Sequence, residues 1–70
     1  MATEVEASLP ATVLRIEKVT GDHVDAGDVL IILESMKMEI PIEAPVAGTC
    51  RILVGEGDSV DDGAVVAIID

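Results

Sequence analysis

Seventy residues with a formal charge of −10, half of them apolar and none aromatic, leave room for one small domain and no deep catalytic site. Cys50 and His23 are each the only residue of their kind, which excludes a disulfide staple and a Cys/His metal staple. The acidic field and the missing stacking platforms speak against nucleic acid and anionic membrane, and no apolar run approaches the roughly 20 residues of a membrane span.

In chain order, Thr3–Ser8 alternates weakly and predicts a short strand ending before Pro10. Ala11–Val19 reads as a second strand with one exposed face, because Arg15, Glu17 and Lys18 lie between apolar residues. The stretch 21–28 is dense in turn formers, with Val24 as its apolar anchor. Val29–Leu33 is an apolar, β-branched run, and its length favours a strand buried on both faces. Then comes Glu34-Ser35-Met36-Lys37-Met38-Glu39, a lysine between two methionines near the midpoint of the chain.

After that stretch the pattern starts again. Met38–Ala44 predicts a strand in which Pro41 must occupy an edge or a bulge, where no ladder donor is needed. Thr49–Val54 follows, then the turn-rich stretch 57–63, then a closing strand over Ala64–Ile69. Gly21, Asp22, Val24, Asp25, Gly27, Val29 and Ile32 recur 36 residues on, as Gly57, Asp58, Val60, Asp61, Gly63, Val65 and Ile68. Ala11, Arg15 and Ile16 fall on Ala47, Arg51 and Ile52 by the same shift.

Two copies, over about residues 3–36 and 39–70, are too few for a solenoid, which needs at least about three. Each copy alone would leave an apolar sheet face wet. The expectation is that they clasp face to face about a pseudo-twofold axis, as one all-β sandwich over residues 1–70. Under that symmetry the link between the copies is an exposed hairpin, and Lys37 is on it. Met1 is followed almost at once by the first copy, which fits a complete small protein; the N-terminus also lacks the basic start and apolar stretch of a secretory signal. With a single cysteine, the cytoplasm is the expected compartment.

The motif around Lys37, the later Glu43-Ala44-Pro45-Val46-Ala47-Gly48-Thr49 and the doubled Gly-Asp-x-Val-x-x-Gly turn resemble the biotinyl/lipoyl-attachment domain family, in its biotin carboxyl carrier branch. The resemblance spans about Val5 to Asp70. It implies a flattened eight-stranded barrel of two four-stranded antiparallel sheets, with the modified lysine on the hairpin joining the halves. It also implies biotin in amide linkage to Lys37, attached by a biotin protein ligase. The arm then serves biotin carboxylase and carboxyltransferase partners of a biotin-dependent carboxylase, and the carrier itself does no chemistry. The chain departs from the family pattern at Ser35, where biotin carriers usually have alanine, at Ala7–Val13 and at Cys50.

Each marked residue has a plainer reading beside the functional one. Lys37 could be a solvated surface lysine, as Lys18 is expected to be. Met36 and Met38 could be apolar filler, but two flexible thioethers beside an exposed lysine suit an adaptable contact surface for ligase and carboxylase. Glu34, Ser35 and Glu39 complete that recognition set, and the two glutamates are expected at strand ends rather than as catalytic acids. His23 and the aspartates of the two turn stretches read as turn residues, not metal ligands, since EF-hand spacing is missing. Cys50, opposite Leu14 in the repeat, reads as a buried small apolar residue. Two other functions remain on this fold: a lipoyl carrier of a 2-oxo acid dehydrogenase or glycine cleavage system, and an unmodified structural barrel.

Overall fold

The computed structural model describes residues 2–70; Met1, within the expected domain, lies outside the described residues. Eight strands follow one another: β1 (Thr3–Glu6), β2 (Ala11–Ile16), β3 (His23–Val24), β4 (Val29–Ser35), β5 (Met38–Glu43), β6 (Gly48–Ile52), β7 (Ser59–Val60) and β8 (Val65–Ile69). They form two four-stranded sheets, ordered β1-β8-β6-β3 and β5-β4-β2-β7, with every pair antiparallel. The all-β sandwich expected from the repeat is the observed fold.

The copies do not simply clasp face to face. Each sheet takes its two central strands from one half and both edge strands from the other. Thus β1 runs along β8, and β7 closes the sheet beside β2. Interleaving lets a chain this short close its sheets with non-local ladders in place of a larger core.

The bonds that join the turns to the other half recur in both copies. The Gly27 N–H donates to the Ala44 carbonyl and the Ala44 N–H to that of Asp28, both at 2.8 Å; Gly63 and Ala7, then Ala7 and Ala64, repeat this at 2.8 and 2.9 Å. Two side chains tie one half to the other in the same symmetric way. The Ile52 N–H donates to Thr20 Oγ1 at 2.9 Å, and the Ile16 N–H to Glu56 Oε2 at 3.2 Å.

The register corrects the sequence alignment in one place. Val13 lies opposite Leu33, but Arg15 lies opposite Ile32, so Leu14 is an extra, bulged residue in β2. In β6, Cys50, Arg51 and Ile52 pair with Ile69, Ile68 and Ala67 without interruption. The partner of Cys50 is therefore Val13, not Leu14, and that of Ala11 is Gly48, not Ala47. Cys50 and Val13 are both buried, as the correction requires, while Leu14 is only half-buried.

A further pair of bulges changes the reading of the apolar runs. Leu30 in β4 and Val66 in β8 are each skipped in the pairing with the edge strand. A bulge leaves two successive residues opposite one partner and kinks the strand. Leu30 with Ile31, and Val66 with Ala67, are accordingly buried in succession, whereas Ile32 stays half-exposed on the outer face. β4 is thus buried through a bulge rather than on both faces.

β2 also stops at Ile16, three residues before the expected end, and Val19 is 70% exposed. The Val19 N–H donates to Asp22 Oδ2 at 3.0 Å, which closes a turn where ladder pairing would have continued. Pro41 sits on β5, an edge strand, as its missing N–H demands. The interior holds no buried polar side chain among the described residues.

Candidate functional site

The link between the halves is a two-residue hairpin. Ser35 pairs with Met38, and Met36 and Lys37 form the loop. Both loop residues have positive φ, 51° for Met36 and 66° for Lys37. Those angles belong to the primed hairpin turns, whose twist matches that of the flanking strands and which normally recruit Asn or Gly. An L-residue with a full side chain there costs about 1–2 kcal/mol. No other non-glycine among the described residues has positive φ. Strain of this kind gathers where a side chain must be presented at a fixed place.

Two features make that presentation possible. β4 and β5 have the most extensive pairing in the molecule, six registered pairs from Val29–Glu43 to Ser35–Met38, so the turn stands on a rigid stem. The tip itself is open: Lys37 is exposed, Met36 is 92% exposed and Met38 63%. No side chain of the described residues pairs with the Lys37 ammonium. The amine is thus accessible to a partner's site, which a covalently attached cofactor requires.

The residues singled out with Lys37 share this stem. Glu34 and Glu39 face each other across β4 and β5, one pair below Ser35 and Met38. Like charges in direct opposition destabilise a strand pair. A residue that the sequence marked only as exposed and as part of the repeat enters here: Arg15 Nη2 lies 3.5 Å from Glu39 Oε1, and Arg15 Nε donates to Glu17 Oε1 at 3.0 Å. The hydrogen bond to Glu17 and then the charge of Glu39 raise the pKa of the guanidinium. The identity of Arg15 with Arg51 was visible in the sequence. What it touches was not.

The other candidates resolve into structural parts. His23 is in strand β3 rather than in a turn, exposed, with Nε2 at 3.5 Å from Asp25 Oδ1. Asp22, Asp28 and Asp58 each use Oδ2 to accept a backbone N–H three residues back, from Val19, Asp25 and Gly55 at 3.0, 2.8 and 2.8 Å. Among the described residues no three carboxylate, histidine or cysteine side chains gather as a metal site. The Cys50 thiol is buried and contacts the Val19 carbonyl oxygen at 3.4 Å.

Comparison with known proteins accords with this geometry. The biotin–lipoyl family model, described as "Biotin-requiring enzyme", matches residues 1–69. The chain is similar to the "Biotinylated protein TB7.3 homolog" of Mycobacterium leprae, 46% identical over 70 residues that cover 99% of each chain. It is 35% identical to the pyruvate carboxylase of Bacillus subtilis over 97% of its own length, which is 6% of that enzyme. Among solved structures, the urea carboxylase of Kluyveromyces lactis superposes with a TM-score of 0.94 at 35% identity; all of this chain matches 6% of that one.

Proposed function

The chain belongs to the biotin–lipoyl attachment family, and from that premise we propose that Lys37 is the residue through which this biotin carrier domain holds its cofactor. The domain is a non-catalytic carrier, and biotin is its covalently bound group. The observation that supports Lys37 is its position: an unpaired amine on a strained two-residue turn at the head of the longest ladder. Biotin, when bound, supplies a ureido nitrogen that can be carboxylated.

The chain's own part is presentation. A stiff hairpin fixes where the amine stands and so raises its effective concentration in a partner's site. No base lies beside the amine among the described residues, so a biotin protein ligase has to supply both the activated acyl group and the proton acceptor. Met36 and Met38 supply deformable apolar contact to ligase and carboxylase, and Glu34, Ser35 and Glu39 the polar rim. Residues 1–70 act as one attachment domain, working in the cytoplasm with biotin carboxylase and carboxyltransferase partners.

Co-expression with a biotin protein ligase tests the assignment. Wild type should bind streptavidin and gain the biotinyl mass increment, while Lys37→Arg should keep its melting temperature and lose both. Streptavidin binding by the arginine variant would place the attachment elsewhere. A lipoyl increment on protein from its native host would make the cofactor lipoate.

A further inference from the structure

The stem below the lysine carries an electrostatic problem. Glu34 and Glu39 oppose each other one pair beneath the turn, and the turn above them already holds two side-chain-bearing residues at positive φ. Strain and like charge both favour opening at the same place. The only cation within ion-pair distance of either glutamate, among the described residues, is Arg15, reaching from β2 past β4 to Glu39 on the edge strand at 3.5 Å.

The internal repeat provides a comparison, in which the register puts Ala2, and no carboxylate, where the hairpin has Glu39. Arg51 holds the equivalent place in β6 and pairs opposite Ile68, as Arg15 does opposite Ile32. Arg51 Nη2 stays with Asp70, at 3.9 Å, just beyond the end of the neighbouring strand β8. Arg15 instead passes over the neighbouring strand to the one beyond. The backbone difference beside the two arginines is the bulge at Leu14, which β6 lacks. Bulges re-aim the side chains next to them. The extra residue thus occurs in the half whose arginine faces the lysine hairpin.

We propose that Arg15 is a positioning residue for Lys37: its guanidinium, anchored by Glu17, offsets the Glu39 charge in the Glu34/Glu39 neck and holds the β5 arm of the hairpin in place for acylation. The role in acylation rests on the attachment reading above; the role in holding the hairpin does not. Three variants test it: Arg15→Gln, Arg15→Lys and Arg15→Gln with Glu39→Gln. Hydrogen exchange of the Met38 and Ile40 amides, the ones that face β4 by the alternation of the antiparallel ladder, is followed on unmodified protein, and initial rates of biotin transfer by a biotin protein ligase are measured separately.

An exposed ion pair of this kind predicts about threefold faster exchange at those amides in Arg15→Gln. The same variant should show a rise of about the same factor in the ligase KM, with kcat and melting temperature little changed. Arg15→Lys should recover most of both effects, and removing the Glu39 charge should return exchange to the wild-type rate. Unchanged or slower exchange in Arg15→Gln, or an acceleration that neither second change relieves, overturns the proposal. If wild type accepts no biotin, the attachment reading fails, and exchange still decides whether Arg15 holds the hairpin.

Discussion

Two kinds of turn in this molecule solve the same backbone problem in opposite ways. In the scaffold turns, positive φ falls on glycine: 102° and 93° at Gly21 and Gly27, and 91° and 87° at their counterparts Gly57 and Gly63. At the hairpin joining the halves it falls on Met36 and Lys37, at 51° and 66°. Glycine carries such angles without steric penalty, and a side chain does not. The scaffold turns therefore hold the barrel at little strain, while the hairpin accepts strain so that an amine and a thioether stand at its tip. Where a fold spends glycine it is building, and where it withholds glycine it is presenting.

The largest effect expected from testing that division is at a glycine whose role is space. A Cβ on Gly48 would run into the Asp70 carbonyl oxygen and lie 2.8 Å from Ile69 Cγ2, where β6 lies against the end of β8. Backbone has to move, so Gly48→Ala should cost about 2–3 kcal/mol, read as a lower urea midpoint. Lys37 would still be biotinylated in the fraction that folds. An undisturbed midpoint would mean that the two strands separate more easily than their ladder implies.

Next come the glycines whose role is angle alone. No atom lies within 4 Å of a Cβ built on Gly27 or Gly63, so only backbone strain opposes a side chain there. Val at either position should cost at least about 1–2 kcal/mol, a fall of roughly 4–8 °C in melting temperature for each kcal/mol. Near-equal losses at the two sites would show the repeat to be energetic as well as geometric. Asp58→Ala, which removes the carboxylate accepting from the Gly55 N–H at 2.8 Å, should cost less, about 1 kcal/mol.

How much of this the sequence disclosed depends on the range of the interaction. The repeat, its turn glycines, the lysine hairpin and the restriction of Pro41 to an edge or a bulge were legible because each is written in local sequence. The interleaving of the halves was not, since neither copy's alternation says which strand from the other copy lies beside it. The bulge at Leu14 was hidden by a coincidence: Ala11 and Ala47 match at the same shift as Arg15 and Arg51, although Ala11 aligns in space with Gly48. Thr20 and Glu56 lie outside every strand that the sequence predicts, and their bonds to Ile52 and Ile16 exist only once the halves interlock. The motif pointed to Lys37, yet nothing in Met-Lys resembles the Asn-Gly that usually announces such a turn.

The smallest predicted effect runs the other way and bears most directly on the contrast between the turns. Met36 is 92% exposed, so replacing it forfeits little packing. Asparagine tolerates the left-handed region and leads the sequences favoured at this turn position, without the added chain entropy of glycine. Met36→Asn should therefore raise the melting temperature by a few degrees, corresponding to about 0.5–1 kcal/mol of relieved strain. If Met36 has the contact role proposed above, the change should also slow carboxyl transfer by the partner enzymes, because the thioether is lost. A stability gain joined to a functional loss is what a strained presenting turn requires. A fall in melting temperature would mean that Met36 supports the barrel, and the hairpin would then be one more scaffold turn with a lysine on it.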